Sequence, residues 1–113
     1  MEPDPGGGLW VLDQRGRAVH FDEFGGYLQE LRTPAGESGR AGGLAVSVEA
    51  VWVCRDSLVW VYDRLERRLH TFTAADLGLA SAVPLVDLAH RNGQLWVLDA
   101  RGAIHRFQVQ PRQ

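Results

Sequence analysis

The stretch "LWVLDQRGRAVHFDEFGGYLQEL" runs from Leu9 to Leu31 and opens on four apolar residues in a row. A strand with one face in water alternates apolar and polar side chains, because successive side chains point to opposite faces. Leu9-Trp10-Val11-Leu12 does not alternate, so a strand there is expected to be covered on both faces. The signal returns twice. Trp10, Trp52 and Trp96 each sit in a triplet of an apolar residue, Trp and Val, at spacings of 42 and 44 residues. "LWVLDQRG" (9–16) matches "LWVLDARG" (95–102) with one mismatch, Gln14 against Ala100. "FDEFGGYLQEL" (21–31) aligns without gaps on "YDRLERRLHTF" (62–72).

A period of about 40–45 residues built from short strand-like pieces marks propeller blades, each a four-stranded antiparallel sheet. The expected class is all-β, a partial β-propeller of four-stranded antiparallel blades with a repeat of 42–44 residues. Blade 1 (6–33) supplies strands two to four, at 9–13, 17–22 and 27–32. A loop follows at 34–42. Blade 2 (43–73) supplies four strands, at 43–48, 50–54, 58–63 and 67–73. A connector spans 74–84, and blade 3 (85–110) supplies strands one to three, at 85–89, 95–99 and 103–109. Blades stack face against face, which explains the uninterrupted apolar runs. No segment keeps helical spacing for ten residues; "TAADLGLASA" (73–82) offers one turn at most.

The turns agree. In "DQRG" and "DARG" an Asp stands four residues before the next strand, placed to accept backbone N–H groups, and the final Gly supplies positive φ. Asn92-Gly93 is the usual pair for a tight hairpin. "PDPGGG" (3–8) looks like the hairpin after a missing innermost strand, and the third copy lacks its outermost one.

With "LWVLD", "VWVCR" and the downstream aromatics Phe21, Tyr62 and Phe107 in hand, the repeats resemble those of bacterial NHL/YVTN-type propellers, from about residue 6 to 109. That resemblance implies the architecture. It leaves activity open, because such rings host lyases, lactonases, receptors and scaffolds. The Thr-Gly and docking Trp of quinone-cofactor propellers are absent, so that cofactor is not carried over and none is expected.

Composition narrows the classes. Apolar residues make up 45% of the chain, enough for a core, and Gly at 13 suits many turns. The net charge of −2 gives no field that would draw nucleic acid or an anionic membrane. No apolar run approaches the length of a membrane span, and "MEPDPGGG" lacks the basic start and apolar middle of a signal peptide. A soluble protein is expected, periplasmic or exported only if a leader has been removed. Cys54 is the single cysteine, which excludes an internal disulfide and a multi-cysteine metal site.

Candidate ligand-binding residues are Arg15, Arg55, Arg101, Asp87 and His90. The three arginines fall in turns between strands two and three and could form a basic rim for an acidic ligand, though solvated turn residues would look the same. Asp87 interrupts the apolar "PLVDLA" of an innermost strand, where a carboxylate lines the channel or needs a partner. His90, next to Arg91 at a hairpin, is the histidine expected to be most exposed. The four histidines occupy unrelated repeat positions, so no metal site is expected, and no catalytic signature occurs. The expected function is a non-enzymatic propeller-type binding or scaffold module for a protein or ligand. Its alternatives are a fragment of a propeller hydrolase or lyase needing further blades, and an oligomeric carbohydrate-binding ring. Because the chain holds about two and a half blades, its expected partner is itself, in a homo-oligomer completing a ring, or the missing blades of a longer chain.

Overall fold

In the computed structural model, which describes residues 1–13, 17–32, 41–73, 75–78 and 84–108, the chain forms three antiparallel sheets. Blade 1 contains β1 (Glu2–Pro3), β2 (Leu9–Leu12), β3 (Arg17–Phe21) and β4 (Tyr27–Arg32), paired in that order. Blade 2 contains β5 (Ala41–Val46), β6 (Ala50–Arg55), β7 (Leu58–Asp63) and β8 (Arg68–Phe72). Blade 3 contains β9 (Leu85–Arg91), β10 (Gln94–Asp99) and β11 (Ile104–Gln108), again as a simple meander.

Two details differ from the sequence expectation. Blade 1 does have an innermost strand, though only two residues long: Glu2 pairs with Trp10 and Pro3 with Leu9. The turn after it closes through Asp4 N–H to Gly8 O and Gly7 N–H to Asp4 O, both 3.0 Å, while Gly7 and Gly8 take positive φ. Blade 2 starts at Ala41 rather than 43, because Ala41 pairs with Arg55 across an irregularity that lets Gly42 bulge. Residue 33 at the end of blade 1, residues 34–40 of the inter-blade loop, and residues 74 and 79–83 of the connector lie outside the described residues. In "TAADLGLASA" the described part is a single turn, with Leu77 N–H donating to Thr73 O at 3.2 Å.

Burial follows which blade faces are covered. All six residues of β6 are buried, since blade 2 has a neighbour on each side. Residues Trp52, Cys54 and Val59 face blade 3 and pack with Leu85, Leu88, Leu95 and Val97. On the opposite face Val51, Val53 and Leu44 pack against Trp10 and Ala18 of blade 1. In β10 burial alternates, with Leu95, Val97 and Asp99 inside and Gln94, Trp96 and Leu98 half-exposed. In β2, Trp10 is buried and Leu9 is 36% exposed. The outer blades therefore carry two-sided sequences in one-sided settings.

Near the ring axis β5 and β9 lie backbone to backbone. A Cβ on Gly43 would stand 2.6 Å from Leu88 N and 2.8 Å from Asp87 Cα, and one on Gly42 would collide with Leu85 O. Any side chain at these positions would push the innermost strands apart, so the glycines are what permits this stacking distance.

Candidate functional site

A cleft of about 420 Å³ opens between blades 2 and 3, at the end of the sheets that carries the β5–β6 and β9–β10 turns. Ser47 shapes one wall. Its Oγ accepts the N–H groups of Glu49 at 3.2 Å and Ala50 at 3.1 Å, and its own N–H donates to Ala50 O at 2.8 Å. That compact turn leaves Val48 projecting at the mouth, 72% exposed. The floor is Trp52 of β6. His90 of β9 lies flat on it, ring centroids 4.9 Å apart and planes 13° from parallel. Gly93 and Gln108 close the blade 3 side, and Glu49 adds a carboxylate at the rim. The opposite wall turns tightly because Asn92 and Gly93 take φ of 53° and 74°, as their side chains allow.

The arrangement suits an apolar group with a polar edge. The lining mixes Val48, Ala50 and Trp52 with Ser47, His90 and Gln108. Trp52 itself is only 4% exposed, since His90 covers one face of the indole. It is floor and not a stacking platform, which removes the exposed ring that sugar recognition needs.

A second polar centre joins blades 1 and 2. Asp4 is buried, and its Oδ2 accepts Trp10 Nε1–H at 2.7 Å and lies 2.9 Å from Arg64 Nη1 of blade 2. Asp4 Oδ1 accepts Gly6 N–H at 2.8 Å. Arg64 also donates to Ser47 O at 2.9 Å, so one guanidinium ties both blades. His20 stacks on Trp10 at 4.6 Å and donates from Nε2 to Gly7 O at 3.2 Å. Burial works to raise the Asp4 carboxyl, but the hydrogen bonds from Trp10 and Gly6 and the Arg64 charge outweigh it and hold the group below its ordinary value. Neither Asp4 nor Arg64 stands out in the sequence, because the tie depends on two turns 60 residues apart meeting.

The other acids are turn-formers. Asp13 Oδ1 accepts Arg17 N–H at 2.8 Å, and Asp99 Oδ1 accepts Arg101 N–H at 2.8 Å and Ala103 N–H at 3.0 Å. Asp22 and Asp63 cap the β3–β4 and β7–β8 turns in the same way. His105 Nε2 sits 2.8 Å from Asp99 Oδ2; that bond, with the turn N–H groups, lowers the Asp99 pKa against a smaller opposing effect of burial. Cys54 lies wholly inside, and burial, reinforced by the negative charge of Asp87, pushes its thiol up to about 12.

The sequence candidates scatter. Arg15 lies outside the described residues. Arg55 ends β6 with its side chain buried, whereas Arg101 is exposed in its turn, so the two do not form a common rim. Asp87 is exposed on β9, its Oδ1 accepting the Leu88 N–H at 2.8 Å. His90, expected to be the most exposed histidine, is half-buried because it stacks on Trp52, and it lines the cleft between blades 2 and 3. Among the described residues no three His, Cys, Asp or Glu side chains are grouped to hold a metal ion, and no helix is long and apolar enough to cross a membrane.

No protein-family model matches this sequence, and neither does any curated protein. Solved structures do. BamB from Moraxella catarrhalis superposes with a TM-score of 0.65 at 17% identity, over 91% of this chain and 29% of BamB. The β-propeller domain of Cps50 (Swd1) from Myceliophteria thermophila gives 0.63 at 14% identity, over 95% of this chain and 37% of that one. The chain thus spans about a third of the length of the structures it matches. At such identities the likeness concerns fold. Strand order, blade stacking and superposition agree: the chain folds as a partial β-propeller.

Proposed function

We propose that this protein is a non-enzymatic β-propeller binding and scaffold module, of the NHL/YVTN repeat type, that takes an apolar side chain of a protein partner into the cleft between blades 2 and 3. The cleft carries the reading. It is large enough for one or two bulky side chains, and Val48 at its mouth is an exposed apolar contact that folding leaves unused. His90 serves as its wall and as a hydrogen-bonding edge. Arg101, in a turn at the opposite end of blade 3, is an exposed cation available to an acidic partner, and Asp87 is exposed on blade 3. The repeat motif supports the subtype, and the open blade faces support a partner that is another copy or further blades. The covered face of Trp52 favours a peptide over a carbohydrate.

Fluorescently labelled pentapeptides with a central Phe, Trp, Leu or Ala, and a labelled maltopentaose, serve as probes in anisotropy titrations. The expected result is saturable binding of the bulky apolar peptides, weakened at least about tenfold by Val48→Asp at the desolvated contact and unchanged by Arg101→Ala. Binding of the oligosaccharide alone would replace this reading with the carbohydrate one. Failure of every peptide to bind would reject it.

A further inference from the structure

The repeat defines two kinds of blade face. One carries the repeated Trp: Trp10 in blade 1 and Trp52 in blade 2, each buried by the next blade. The other carries the flanking valines: Val53 in blade 2 and Val97 in blade 3, each packed on the blade before. Two such faces are uncovered. In blade 3 the Trp face presents Trp96 and Leu98, half-exposed, beside Ile104, 66% exposed. In blade 1 the valine face presents Val11 with Leu9 and Phe21, all partly exposed. One open face is thus of the kind that covers the other.

We propose that a second copy of this chain covers both. Blade 3 of each copy packs on blade 1 of the other, giving a closed two-fold ring of six blades from two sets of three sheets. Propellers close with about four to eight blades, so two copies fit and three overshoot. The proposal goes beyond the cleft and does not depend on it.

Charge favours a second copy over an arbitrary apolar partner. The blade 1–blade 2 joint is tied by Asp4 and Arg64. Asp4 lies two residues beyond Glu2, the partner of Trp10; in blade 3 the residue two beyond Ala89, the partner of Trp96, is Arg91. Arg64 follows Asp63 at the start of its turn; in blade 1 the residue following Asp22 is Glu23. Arg91 and Glu23 are both exposed. At the joint between copies, Arg91 of one copy meets Glu23 of the other, the same tie with its signs exchanged. Asp87 stands opposite Leu98 on the open face of blade 3, where blade 2 has Gly43 opposite Cys54.

Sedimentation velocity on the full chain tests this, with circular dichroism confirming that each variant is folded. The expected species has twice the 12.5 kDa chain mass. Glu23→Arg and Arg91→Glu alone should each weaken the dimer about tenfold or more, and combining them should restore it to within about threefold. Trp96→Asp should give monomer. A wild-type monomer, a different stoichiometry, or a dimer in which the two charge reversals add instead of compensating would overturn the proposal. If Trp96→Asp does not fold, the charge-exchange pair, exposed at the end of β9 and in the β3–β4 turn, decides alone.

Discussion

Replacing Asp4 by Ala should destabilise the protein by about 2–4 kcal/mol, and replacing it by Asn by only about 1 kcal/mol. The difference comes from Trp10. Its indole is fully buried and its Nε1–H has Asp4 Oδ2 as acceptor at 2.7 Å. Alanine leaves that N–H orphaned, at a cost of about 1–3 kcal/mol, while asparagine, with its single oxygen turned to Trp10, keeps an acceptor there; both variants give up the part-exposed Gly6 N–H bond, which cancels in the comparison. Both variants lose the ion pair with Arg64, whose side chain is 23% exposed and whose contribution is about 1 kcal/mol or less. Urea unfolding followed by circular dichroism, at fixed protein concentration, measures each cost. Trp10→Phe supplies the control: with the donor gone, Asp4→Ala should approach the cost of Asp4→Asn. The pH dependence carries a definite sign. The folded Asp4 carboxyl titrates below its ordinary value of 3.8, so its charge contributes fully above that value and is lost as the pH falls through the depressed folded-state pKa. The gap between wild type and Asp4→Asn should therefore be open at neutral pH and close in acid. Equal costs for Ala and Asn, or a gap that widens in acid, would refute the account of the clamp.

Two further outcomes follow from the inner strands. Gly43→Ala places a Cβ 2.6 Å from Leu88 N and 2.8 Å from Asp87 Cα, both backbone atoms. It should cost about 1–3 kcal/mol in the same urea assay, and a neutral effect would mean that β5 and β9 do not approach so closely. Cys54, fully buried with its thiol pushed up to about 12, should resist a disulfide-exchange reagent at pH 8 and react only as fast as the protein opens. Rapid labelling in native buffer would show that the blade 2–blade 3 core is not closed.

Much of the architecture was legible in the sequence because a repeat reports itself. Trp10, Trp52 and Trp96 announced three copies of one unit, and Asp13, Asp99 and Asn92-Gly93 announced the turns, since turn chemistry is local. β1 was not legible: Glu2-Pro3 has no strand character, and it becomes a strand only because the Asp4–Gly8 turn folds it back on β2. Arg55 read as a turn cation, yet β6 extends through it and buries it. His90 was singled out for its position near a hairpin, but nothing local reveals that it lies on Trp52 of the preceding blade.

The sequence alone determined the blade, its strands and its period, because alternation, aromatic placement and turn residues are written within about forty residues. Tertiary structure alone decided how the blades join. The Asp4–Arg64 tie, the Trp52–His90 floor and the glycine contact of β5 with β9 each bring together groups from separate repeats. It also decided which two-sided strands received two neighbours: β6 did, and β2 and β10 did not. A strand's composition records the cover it is built for, and only packing shows whether that cover is supplied from within the chain.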